Sequence, residues 1–172
     1  GRISNSEFSA TAQAILQFRP DGEATIQSIG ASYSKQFLLE AEKYHNFELV
    51  ADSSASEACD LYVEGDDKIY LIANDEKPCV AILPMACPKG TQSIMLNASL
   101  DEAVAKKTEF LVCALDPEIN PATHIKKIGK SSSDGCSGWV SLSLPFEGKK
   151  IEAQLSFPSE TSKNIVIALR TS

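Results

Sequence analysis

Apolar and polar residues alternate cleanly in two stretches near the end of the chain. In residues 139–144 (WVSLSL), Val140, Leu142 and Leu144 share one face and Ser141 and Ser143 the other. In residues 150–157 (KIEAQLSF), Ile151, Ala153, Leu155 and Phe157 alternate with Glu152, Gln154 and Ser156. A period of two is that of a β-strand with one covered face, and the two stretches are predicted to form an outer hairpin around residues 145–149. Other runs do not alternate. Residues 79–83 (CVAIL) and 109–115 (EFLVCAL) are apolar on both faces and predict two central strands covered from both sides, and residues 164–169 (NIVIAL) predict a further buried strand.

The pattern elsewhere is also mostly of strands. Residues 61–64, 68–73 and 79–83 are separated by Gly65-Asp66-Asp67 and by a turn at 74–78, which predicts a three-stranded meander at the centre of the fold. Residues 12–18 and 23–29 flank Arg19-Pro20-Asp21-Gly22 as a second hairpin. Residues 47–51 and 93–98 are further strands, and 123–128 is an edge strand with Lys126 and Lys127 as the charges that discourage edge pairing. The spacing of Tyr33, Phe37, Leu38, Ala41 and Tyr44 predicts an amphipathic helix over 31–44, lying across a sheet face, and residues 101–107 predict one or two helical turns. About eleven strand candidates and one clear helix make the chain mainly β with one amphipathic helix (α+β), an antiparallel β-sandwich or closed barrel.

Composition sets bounds on this picture without changing it. The 172 residues, 43% apolar and 23% charged, fit one globular domain over 9–172, preceded by a polar segment at 1–8 (GRISNSEF) read as a vector remnant or a processed N-terminus. The net charge of −7 argues against nucleic acid as a partner, and no apolar run is long enough to span a membrane. The five cysteines contain no C-x-x-C pair, so the expectation is of mainly reduced, structural thiols. Cys79 and Cys113 lie within apolar runs, and Cys59, Cys87 and Cys136 are the loop-located candidates for a bridge. Asn97-Ala98-Ser99 matches a glycosylation sequon, but the compartment is not set by these residues.

Few constellations suggest chemistry. The acidic turns at 64–67 and 74–76 have calcium-type ligands, but a six-residue strand places them roughly 20 Å apart. Cys79, Cys87 and a histidine lack the close ligand pairs of a zinc site, and no phosphate-binding glycine motif occurs. No metal and no cofactor are expected. The glycine-flanked loop Gly135-Cys136-Ser137-Gly138 is the one catalytic candidate. With His45 and an acid, Asp75 among Asp60, Asp66 and Asp75, it resembles the His…Asp…Ser order of chymotrypsin-like β-barrel proteases. The resemblance covers a four-residue motif and the order along the chain, and implies a serine or cysteine protease with Ser137 or Cys136 as nucleophile and His45 as base. His45 departs from that pattern by ending an amphipathic helix.

Trp139, the only tryptophan, falls on the opposite face from Val140 and Leu142, where it is a candidate interface anchor unless another element covers it. Tyr62 and Tyr70 admit the same two readings. By elimination, the sequence favours a non-enzymatic β-rich domain that binds another protein, or a second copy of itself, through a sheet edge or loop surface. The protease is the alternative, and a self-assembling shell or envelope component is a third reading.

Overall fold

The computed structural model describes residues 9–20, 46–50, 59–64, 68–73, 77–86, 91–143, 148–159 and 162–172. The described strands are β1 (Ala10–Pro20), β2 (Glu48–Leu49), β3 (Cys59–Glu64), β4 (Lys68–Ala73), β5 (Cys79–Ala86), β6 (Thr91–Ala103), β7 (Thr108–Leu115), β8 (Val140–Leu142), β9 (Lys149–Ser159) and β10 (Ser162–Thr171). One short helix, α1 (Pro121–Ile125), lies between β7 and β8. The strands form two five-stranded antiparallel sheets, ordered β3-β4-β1-β6-β9 and β2-β5-β10-β7-β8. Among the described strands both sheets keep open ends, so the architecture is sandwich-like and not a closed barrel.

The periodicities explain which strand goes where. The first sheet contributes Ala10, Ala12 and Ala14 from β1, Ile69 and Leu71 from β4, and Ile94, Leu96 and Ala98 from β6 to the central core. The second contributes Leu83, Phe110, Val112, Ile165 and Ile167. The closest approaches between the two layers include β6 with β7, β4 with β10 and β9 with β7. In the second sheet the alternate residues, Val80, Leu111, Cys113, Leu115, Val166 and Ala168, are buried too and belong to a second cluster on its outer side. The non-alternating runs are therefore the central strands β5, β10 and β7 of the one sheet covered on both faces.

Several expectations are corrected. β3 and β4 pair as predicted, with Tyr62 opposite Tyr70, but β5 leaves the meander and pairs with β10 and β2 in the other sheet. Its second apolar face is buried only there. β8 and β9 do not form a hairpin: β8 pairs with β7 and β9 with β6, so that Leu142 and Ile151 reach one core from opposite layers. The predicted helical turns at 101–107 are replaced by the end of β6, whose Ala103 still pairs with Ala10, and by a bend at 105–106. The predicted edge strand at 123–128 is replaced by α1, because Pro121 presets its first turn and the Asn120 side chain accepts the Thr123 N–H at 3.2 Å. The predicted helix at 31–44 and strand at 23–29 lie outside the described residues.

A further correction concerns the cysteines. Cys59 and Cys79 form a disulfide with Cα atoms 5.3 Å apart, joining the first strand-edge residue of β3 to the head of β5 and hence one sheet to the other. The apolar neighbours of Cys79 do bury it, but its inward face meets Cys59 across the sandwich. Cys113 and Cys136 are free and buried.

Candidate functional site

The loop that the sequence singles out is laid along the outer edge of β7. Ser133 and Cys136 exchange backbone hydrogen bonds around Asp134-Gly135, closing a tight turn in which Gly135 takes φ +73°. The Ala114 N–H donates to Gly135 O at 2.8 Å and the Ser137 N–H to Val112 O at 3.0 Å, while the Gly135 N–H reaches Gln154 O on β9. A Cβ on Gly135 would stand 2.9 Å from Ala114 O, so the close approach requires glycine. Pairing slips by one residue between Cys113–Cys136 and Phe110–Val140, and Gly138 at φ +71° absorbs the slip. The slip turns Cys136 and Trp139 to the outer side of the sheet and Val140 and Leu142 to the core.

Ser137 is buried and hydrogen-bonded to the backbone in this arrangement. Its hydroxyl accepts the Val112 N–H at 3.1 Å and donates to Gly138 O at 2.8 Å, and the residue is 7% exposed. A backbone donor and a backbone acceptor thus both engage the hydroxyl. His45 and Asp75 lie outside the described residues. Asp60 is exposed, and its carboxylate accepts the adjacent Leu61 N–H at 2.8 Å. The Cys136 sulfur meets the Cys113 sulfur at 2.7 Å. That contact lowers the Cys136 thiol to about 7 against the opposing effect of burial, with help from the Gly138 backbone. The same contact, and then burial, push Cys113 up. Among the described residues no three histidine, cysteine or carboxylate side chains converge to hold a metal ion.

Trp139 is not an exposed anchor. It is 3% exposed and packs with Leu111, Cys113, Ile125 and Cys136 beneath the segment 116–139. The Arg170 guanidinium lies 4.1 Å from its ring centroid and also donates to Glu109 at 2.8 Å, so a cation on β10 closes the indole in from the solvent side. The cover is α1 and its flanking loops. The sequence places Trp139 on the correct face, but periodicity alone carries no sign of the layer above it.

The first sheet's outer face is different. Tyr62 is 41% exposed, and its ring stacks on Tyr70 with centroids 4.7 Å apart and planes 5° from parallel. Tyr70 is itself buried and its hydroxyl donates to Gln13 at 3.5 Å. Register places Tyr62, Tyr70, Gln13 and Ser99 in one row across β3, β4, β1 and β6, beside a hollow of about 170 Å³ lined by Gln13, Asn97, Ser99 and Gly148. Burial first, then Glu64, Asp101 and Tyr62, push the Tyr70 phenol above its ordinary value, which marks the surroundings of the row as acidic. Asp60, Glu64 and Asp101 are all exposed. The sequence names both tyrosines but not their stacking, which depends on the β3–β4 register.

A family model matches residues 39–170. The chain belongs to DUF6212, a family of unknown function. The matched span runs from β2 to β10 and contains the Cys59–Cys79 bridge, both tyrosines and the whole covering segment. β1, which lies between β4 and β6 in the first sheet, falls outside it. No curated protein and no solved structure matches the chain.

Proposed function

We propose that the chain is a non-enzymatic interaction domain that binds a basic segment of another protein on the outer face of the first sheet. The exposed Tyr62 ring, held flat by its stack on the buried Tyr70, is the observation that carries this reading. An aromatic whose partner ring is fixed in the sheet loses little freedom on binding, and a planar guanidinium stacks well on such a face. Asp60 and Glu64, two residues to either side of Tyr62 on the same strand, and Asp101 on β6 supply charge complementary to arginine and lysine. Lys68 opposite Glu64 moderates that charge at one end of the row. Ser137 gives the protease reading no comparable support, since its hydroxyl is held at both donor and acceptor positions. Among the described residues no helix is long and apolar enough to cross a membrane.

The test is fluorescence anisotropy with a labelled arginine-rich peptide, with an acidic peptide of equal length as control, and sedimentation to read self-association. Tyr62→Ala preserves net charge, so a loss of about tenfold in affinity for the basic peptide, with folding intact, assigns the binding to this face. Equal binding by wild type and Tyr62→Ala reduces the effect to bulk charge and overturns the reading. A concentration-dependent dimer abolished by Tyr62→Ala replaces the foreign partner with a second copy.

A further inference from the structure

We propose that Cys113 and Cys136 form a second, reversible disulfide that clasps the covering segment 116–139 onto the second sheet. The two residues face each other across an antiparallel bridge. The flanking bonds run from Ala114 N–H to Gly135 O and from Ser137 N–H to Val112 O, so the cysteines occupy a non-hydrogen-bonded pair, where Cα atoms stand about 4.5 Å apart and side chains are closest. That spacing lies within the range a disulfide spans without backbone movement. The sulfurs are already at 2.7 Å, on the same side of the sheet. The glycines that let the loop lie this close are fixed by sterics: a Cβ on Gly138 would stand 2.6 Å from Lys130 O. The loop is held in the bridging geometry by bonds that do not involve sulfur. The chain also already carries one disulfide, Cys59–Cys79, so an environment that maintains that bridge contains an oxidant able to act on this pair.

The oxidant is a small-molecule disulfide such as oxidised glutathione. The Cys136 thiolate attacks one sulfur of that disulfide, forming a mixed disulfide and releasing one glutathione thiolate. Cys113 then gives up its proton and attacks the Cys136 sulfur, forming the internal bond and expelling the second glutathione. Two cysteine thiols are oxidised and one glutathione disulfide is reduced to two thiols. Cys136 is the first nucleophile because its contact with Cys113 and with the Gly138 backbone favours its thiolate. Both sulfurs are buried, so the loop must lift briefly to admit the oxidant, and the bond once made opposes further lifting.

The experiment equilibrates the folded protein in glutathione buffers of graded oxidised-to-reduced ratio, quenches with iodoacetamide and maps peptides without reduction. The expected result is a linked Cys113–Cys136 peptide that appears and disappears reversibly with the ratio, while Cys59–Cys79 stays linked. Formation should raise the melting midpoint by roughly 5–10 °C, because the bond closes a loop of more than twenty residues. In Cys113→Ser, which cannot complete the second step, Cys136 should accumulate as the glutathione adduct. Full alkylation of both cysteines in the native wild type at every ratio, or a bridge from either one to Cys87, overturns the proposal. The wild-type map decides the question even where a variant folds poorly.

Discussion

The two sheets share a core but face outward differently. The second presents Val80, Leu111, Cys113 and Val166 to a layer made of α1, Cys136 and Trp139, whereas the first leaves Tyr62, Asn97 and Lys150 in contact with solvent. The second sheet is therefore buried on both sides, and the central core is shared by the two sheets. Of the stacked tyrosines on the first sheet, Tyr70 is buried and Tyr62 exposed, so truncation of Tyr62 should cost folding less than truncation of Tyr70. Two aromatic side chains thus sit differently on the two faces: Trp139 is buried under the outer layer, and Tyr62 is 41% exposed.

Removal of the cover is the strongest way to break this contrast. Trp139→Ala should destabilise the protein by about 3–5 kcal/mol, since it deletes the largest side chain of the outer cluster and leaves Arg170 without its ring, and chemical denaturation measures the loss. Ser137→Ala should cost less, about 1–3 kcal/mol, by leaving the buried Val112 N–H without its side-chain acceptor. The same variant separates scaffold from nucleophile: wild type should show no fluorophosphonate labelling at Ser137, and labelling abolished by Ser137→Ala would make the domain an enzyme. On the open face the effect is smaller and depends on pH. The Tyr70 phenol is raised above its ordinary value of 10.0, so the folded state holds that proton more tightly than the unfolded chain. Its stabilising contribution is complete below about pH 10 and declines as pH rises through the folded value. Tyr70→Phe should flatten the alkaline limb of a stability profile while leaving neutral pH nearly unchanged.

Much of the architecture is legible in the sequence because burial on one or two faces leaves a direct trace in the pattern. CVAIL, FLVCAL and NIVIAL mark doubly covered strands and become the three neighbours at the centre of the second sheet. Which sheet a strand joins is less legible, since LSL and KIEAQL have inward faces that fit either layer, and only the packing of Leu142 against the opposite side resolves it. α1 was hidden because the β-prone residues of THIKKI outweigh a one-turn helix whose start depends on the Asn120 cap. The Cys59–Cys79 link was hidden for a similar reason. Nothing local shows that residues at the heads of β3 and β5 lie at the same end of two sheets, although their positions at strand starts are the signal that a topology would have turned into a pair. The candidate site was half visible: glycine spacing identified the 135–138 loop, but not that its hydroxyl serves the backbone.

The position of β10 bears on how the chain is made. It is the last of the described strands in order, yet it runs between β5 and β7, which are joined through it in the described sheet. During synthesis the edges of β5 and β7 that pair with β10 must therefore wait until β10 emerges. A nascent chain stalled before residue 162 would present those edges to chaperones, and the second sheet would assemble only after translation had passed that point.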